Sequence, residues 1–167
     1  MPETKDAFLK RPRVGMADLD HLLSFPKESL GYHYAAFMRA KGLAPYPLVV
    51  GAKPNLGKDS DELYVLEHLR ESHDIWHVVT NFDTDVAGEL VLQAFYATQN
   101  PSPFPLVILA IGLLNTLLFA MEDKERRFDA IQRGWNLGKH AKPLFGVDWS
   151  KLFPQPFLDV KSNLALI

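Results

Sequence analysis

The chain has 167 residues, 47% hydrophobic and 23% charged, with 18 Lys plus Arg against 20 Asp plus Glu and no cysteine. That length reads as one domain with a packable core, and a net charge of -2 excludes the global basic field that draws nucleic acid. Without thiols there is neither a disulfide framework nor a thiolate metal site, so any metal must be held by nitrogen and oxygen ligands, as in an intracellular chain.

Met1 to Asp6 carries charge and lacks both the apolar core of a secretory signal and the acid-poor composition of a transit peptide. Residues 1–15 are expected to form an N-terminal tail on a single domain spanning 1–167. Met16 to Ser24 places Leu19, Leu22 and Leu23 at helical spacing, and Ser29 caps a second helix that stops near Lys41-Gly42. Prolines 45, 47 and 54, with Gly51 and Gly57, predict an irregular connector in which Leu48-Val49-Val50 is the one strand-like run. Asp59-Ser60-Asp61-Glu62 then supplies a cap and first-turn acids for a long third helix that ends near Thr80.

A turn at Asn81 to Asp85 leads into a fourth helix, Val86 to Thr98, and prolines 101, 103 and 105 separate it from an apolar run, Leu106 to Met121. Sixteen residues are short of the roughly 20 that cross a bilayer, and Asn115 and Thr116 interrupt them. The run therefore predicts a buried helix, either as plain core packing or as the wall of a lipid groove. Glu122 to Lys139 sets Phe128, Ile131 and Trp135 at helical spacing. It also carries Arg126, Arg127 and Arg133, a basic cluster that suits either a solvated face or lipid head groups. Beyond Pro143 come a single turn around Trp149 and a last helix opened by Pro156. The expected fold is all-α: a single-domain helical bundle with a buried apolar helix.

Projected at about 100° per residue from Leu63, His73 falls near 280°, His77 near 320°, Asp74 near 20° and Leu66 near 300°. Imidazoles at i and i+4 beside a carboxylate, on the face that carries Leu63 and Leu66, let one helical turn grip a metal. His68 falls on the opposite side, near about 140°, and reads as a solvent residue. Glu89 follows His77 by twelve positions, about 18 Å along a single straight helix, but the intervening turn allows an antiparallel pair to bring the two level, as in bundle metal sites. Periodicity alone leaves open a satisfied core histidine with acids that merely cap or face water.

The run His73-Asp74-Ile75-Trp76-His77, eleven residues, and then Glu89 within Ala87-Gly88-Glu89 resembles the signature of the coenzyme Q biosynthesis protein 4 family. Ser29-Leu30-Gly31, Asp61-Glu62-Leu63 and the Gly134 to Trp149 region extend the likeness over most of the chain, while the Asn81-Phe82-Asp83 turn departs from the family's proline-bearing turn. The resemblance implies an all-helical fold and a divalent metal on His73, Asp74, His77 and Glu89. Zinc comes first, with magnesium, manganese or iron compatible with the same N and O donors. It also implies an isoprenoid or polyprenyl lipid as ligand, other quinone-biosynthesis enzymes as partners and peripheral contact with the membrane; independently, a greasy mouth on a lipid groove would favour a homodimer or membrane contact. That membrane is the one facing the cytoplasm for a bacterial-type chain and the mitochondrial inner membrane, on its matrix side, for eukaryotic relatives.

Two activities follow from the resemblance: oxidative decarboxylation at C1 of a polyprenyl-hydroxybenzoate by a metal-dependent lyase, or a non-catalytic lipid-binding scaffold that organises a quinone-biosynthesis complex. The residues assign no catalytic acid or base. Arg70, near about 340° on the third helix, is a candidate to bind a substrate carboxylate, against the alternative of a long side chain reaching water.

Overall fold

The computed structural model of the chain describes residues 7–45, 57, 60–100 and 102–167. Met1 to Asp6, the Leu48-Val49-Val50 run, Asp59 and the prolines at 47, 54 and 101 lie outside the described residues. Among the described residues every regular element is helical, beside one isolated bridge between Ser29 and Pro156, so the fold is all-α as the periodicity predicts.

Helix α1 (Leu19–Leu23) begins where the Asp18 carboxylate accepts from the N–H groups of Asp20 and His21. The Ser29 hydroxyl accepts from Tyr32 N–H to open α2 (Leu30–Lys41), which stops at Gly42 with φ of 65°, a left-handed position open to glycine. Ser60 Oγ accepts from Leu63 N–H at the head of α3 (Asp61–Thr80). Asn81 follows at φ 57°, which its short polar side chain tolerates, and α4 (Val86–Gln99) opens under an Asp85 cap that accepts from Gly88 N–H at 2.8 Å. Helix α5 (Phe104–Phe119) leads through a 3₁₀ turn at Met121–Asp123 into α6 (Lys124–His140), and α7 (Trp149–Leu152) and α8 (Phe157–Asn163) are the last two.

Two compact units result: residues up to Val79 with Phe145–Asn163, and Thr80–Leu144 with Leu164–Ile167. In the first, α1 lies against α2. Leu30 N–H donates to Gln155 O, Gly31 N–H to Phe153 O and Phe157 N–H to Glu28 O, which ties the head of α2 to the segment between α7 and α8. Residues 7–15, expected as a tail, are bound along α3. Residues 7–10 are helical, Arg13 pairs with Glu67 and Glu71, and Val14 N–H donates to Glu71 Oε2 at 2.9 Å. A buried carboxylate requires cations and donors, and this segment supplies them to Glu71.

In the second unit α4 packs against α5 and α6, with Leu90, Ala94 and Leu109 at its core and Ile131 laid on them. Helix α6 approaches α4 through glycine: a Cβ added at Gly134 would stand 2.0 Å from Val91 O, and one at Gly138 2.0 Å from Thr98 Oγ1. Gly134→Ala is therefore expected to destabilise the chain by about 1–3 kcal/mol through overpacking. Urea titration should show a lowered midpoint at unchanged slope, and a midpoint equal to wild type would reject this close approach.

The expected burial of the apolar helix is not found. Ile111 is 58% exposed, Leu117 61% and Phe119 76%, and Leu106, Val107, Leu114 and Leu118 are exposed too; only Pro105, Leu109 and Thr116 of α5 are buried. A helix that is apolar all round reads the same whether or not every side meets a partner, and here one narrow side does. Its polar interruptions serve the next helix: buried Arg127 donates to Asn115 Oδ1 and Thr116 Oγ1, each at 3.0 Å, and pairs with Asp123 at 2.9 Å. Among the described residues no single helix is long and apolar enough to cross a membrane.

Candidate metal centre

The sequence HDIWH occupies the last turns of α3, so His73 and His77 stand one turn apart with their side chains neighbouring. Their Nε2 atoms are 3.3 Å apart, and the ring planes meet at 85° with centroids 4.8 Å apart. Two nitrogens bound at about 2.0–2.1 Å to one tetrahedral ion would lie roughly 3.3–3.4 Å from each other. The separation therefore matches that of two ligands of one ion, and the same spacing also suits one N–H donating to the other ring nitrogen.

His77 is fully buried and His73 half-buried. The Phe37 ring of α2 lies nearly parallel to that of His77, at 17° with centroids 6.5 Å apart. Asp74 is half-buried, and its charge is felt at Tyr34 of α2: burial first, and then Asp74, pushes the Tyr34 hydroxyl above the ordinary tyrosine range. Tyr34 is held in place by stacking on Phe153, with centroids 5.7 Å apart and planes at 21°. A ring hydroxyl and an aromatic wall thus attend the Asp74 and His77 side of α3. Neither was recognisable in sequence, since the Tyr32, Tyr34 and Phe37 run reads simply as an aromatic helix.

Glu89 is half-buried in the first turn of α4, where the unpaired N–H groups of a helix head favour a carboxylate. Its neighbour Gly88 has a reason of its own: a Cβ there would stand 1.8 Å from Asp83 O, so the turn after α3 folds directly over the start of α4. Arg70, one turn before Asp74, is half-buried. The structure brings His73 and His77 together, sets Asp74 on the same turn, and puts Glu89 at the head of the helix that follows the turn.

His68 departs from expectation. It is fully buried, along with Tyr64, Ser72, Ile75 and Val79, which recur at helical spacing on the side of α3 read as solvent-facing. Leu63 and Leu66, read as the inward stripe, are only half-buried. Residues 7–15 and the segment after Pro143 cover that side, and a period within α3 cannot reveal cover supplied from far along the chain.

The model of the family described as coenzyme Q (ubiquinone) biosynthesis protein Coq4 matches residues 1–167. The chain belongs to the Coq4 family. It is 29% identical to the mitochondrial ubiquinone biosynthesis protein coq4 of Aspergillus flavus, over 99% of this chain and 56% of that protein. It is 27% identical to the mitochondrial COQ4 homologue of Rattus norvegicus, over 99% of this chain and 61% of that one. The chain thus spans little more than half the length of these curated Coq4 relatives. A crystal structure from Nostoc punctiforme, provisionally described as a ubiquinone biosynthesis protein, superposes with a TM-score of 0.84 at 29% identity, covering 99% of this chain and 76% of the other. The resemblance to this family, read from the sequence, is borne out.

Proposed function

We propose that this Coq4-family chain binds one divalent ion, zinc first, through His73, Asp74, His77 and Glu89, and uses it to remove the ring carboxylate at C1 of a polyprenyl-hydroxybenzoate. The observation that carries this reading is the 3.3 Å separation of the His73 and His77 Nε2 atoms, in a chain whose family works in ubiquinone biosynthesis. A bound ion with an open position supplies Lewis-acid polarisation of a carboxylate or phenolate oxygen. The step breaks the bond from C1 to the carboxyl carbon and releases carbon dioxide; a water oxygen becomes the C1 hydroxyl while dioxygen, as external oxidant, takes the two electrons and leaves as hydrogen peroxide. The protein's own contribution is placement: buried His77 beside Phe37 gives a flat apolar wall, Tyr34 offers a hydroxyl on the Asp74 side, and Arg70 is the cation one turn earlier for a substrate carboxylate.

The uncovered apolar face of α5 supports a second element of the proposal, contact with the membrane that holds the isoprenoid tail. Contiguous apolar patches seldom stay in water. Phe128 and Trp135 of α6 are exposed too, and the exposed cations Lys124 and Lys139 lie near the two ends of that helix. Aromatic side chains flanked by lysine are the composition of an element lying in a bilayer interface. A second copy of the chain, or other quinone-biosynthesis enzymes, are the competing covers.

Turnover decides between enzyme and scaffold. The metal-loaded chain with a carboxyl-labelled polyprenyl-hydroxybenzoate and dioxygen is expected to release labelled carbon dioxide, and His73→Ala to lose that release by at least about 100-fold, as when a transition-state contact is removed. Retained isoprenoid binding with no release from either protein would reject the lyase and leave the lipid-binding scaffold.

A further inference from the structure

We propose that His68 is an acid-released latch: a proton on its Nε2 breaks the contact with Gly146 and frees the loop after Pro143 from α3, while residues 7–15 stay held by Asp61, Glu67 and Glu71. The hydrogen bonds set the ring's state. Pro12 O lies 3.1 Å from Nδ1 and can only accept, so Nδ1 carries the hydrogen; Gly146 N–H donates to Nε2 at 2.9 Å, so Nε2 is bare. One neutral imidazole, with no exposed surface, thereby joins two segments distant in sequence to the middle of α3. Its ring packs between Tyr64 and Phe145, at centroid distances of 5.5 and 5.2 Å, so a charged ring would sit against aromatic carbon and face a backbone N–H with no lone pair to offer.

The charged groups around the ring are already engaged. On α3, Glu71 is held by Arg13 and by Val14 N–H. Burial pushes its carboxyl up, and bonds from Arg13, Gly15 N–H and Val14 N–H outweigh that and keep it below the ordinary range. From the N-terminal segment, Arg13 is committed to Glu67 and Glu71 and Arg11 to Asp61. From the loop, Asp148 accepts from Lys151 and Ser150. Tyr64 adds a phenol that burial raises to about 12, neutral through the range concerned. Burial lowers the pKa of His68 itself, against the pull of Pro12 and Glu71. A folded value below the unfolded one means that the stability held by the neutral ring is complete above about pH 6.5 and lost as pH falls toward the folded value. The inference does not depend on the metal.

Hydrogen exchange on the full chain tests it, with intrinsic rates corrected, from about pH 7.5 down to about pH 5 across the histidine range. The Gly146 amide is expected to lose protection, by up to about tenfold per pH unit for one proton taken up, while the Val14 amide, held by Glu71, and the Val91 and Phe95 amides of α4 keep theirs. His68→Gln, which retains a neutral acceptor and cannot charge, is expected to abolish the step. A step unchanged in His68→Gln, or none in the wild type before global unfolding, overturns the latch. Should that variant not fold, the imidazole nitrogen shifts of wild-type His68 are followed by NMR. Protonation with Gly146 still protected overturns the proposal, and protonation coincident with its release supports it.

Discussion

Purified without chelator, the chain is expected to carry close to one divalent ion, and His77→Ala to lose it. The prediction follows from two Nε2 atoms 3.3 Å apart on one turn of α3, the edge length of a tetrahedral ion with imidazole ligands. Removing an imidazole leaves one nitrogen on that turn, so affinity should fall by more than the roughly 10–100-fold that the loss of an outer-shell partner causes. His73→Ala should behave alike, and Asp74→Asn and Glu89→Gln report whether each carboxylate belongs to the set. Metal analysis with competitive titration gives the answer. A metal-free wild type after mild purification would mean that the two rings share a hydrogen bond in a helical protein without an ion. Equal affinity in Glu89→Gln would remove that residue from the ligands while leaving the histidine pair intact.

The double variant Ile111→Asp, Leu118→Asp is expected to release the chain from lipid vesicles by more than about 100-fold while leaving it folded. Both residues are 58% exposed, and exposed positions away from special features change stability by only about 0.5 kcal/mol. In the bilayer each would bury most of an aliphatic side chain worth about 1.5–3 kcal/mol, and two such losses exceed the roughly 2.8 kcal/mol of a hundredfold change. Sedimentation with neutral and with anionic vesicles measures this, and anionic lipid should strengthen wild-type binding through Lys124 and Lys139. A variant that binds vesicles like wild type but no longer self-associates would assign the face to a second copy of the chain. Ligands of rising isoprenoid length provide a parallel arm. Affinity should rise with each methylene, by about 0.8 kcal/mol where it is fully buried, and Leu113→Asp, at a half-buried position of the same helix, should blunt the rise.

Local chemistry carried much of the fold into the sequence. Ser29, Ser60 and Asp85 each accept from an N–H at the head of the helix that follows, and Gly42 and Asn81 take the left-handed turns after α2 and α3. Those side chains act within three or four residues of themselves, so helix ends could be read without knowing what packs where. The proximity of His73 and His77 belongs to the same class, because a helical turn brings i and i+4 together wherever the helix lies. Their type and order, with Glu89, also sufficed to recognise the family.

Burial was of the other class. His68 and Leu117 show it from opposite directions, a polar residue enclosed and an apolar one left uncovered, and both contradict what their own helices suggest. Whether a face is covered depends on which distant segments arrive there. Pro12 and Gly146 come to His68 across 56 and 78 positions of chain, while no described neighbour covers the outer side of α5. Gly88 and Gly134 belong here as well: each reads as an ordinary small residue until the carbonyl of Asp83 or Val91 is found standing where a methyl would be. Sequence by itself determined the helices, their caps and the histidine pair, because those rest on interactions of short range along the chain. The inside of α3, the outside of α5 and the glycine contacts were decided only by tertiary structure, because hydrophobic burial and close packing are properties of surfaces that meet, and a single segment holds only one of the two.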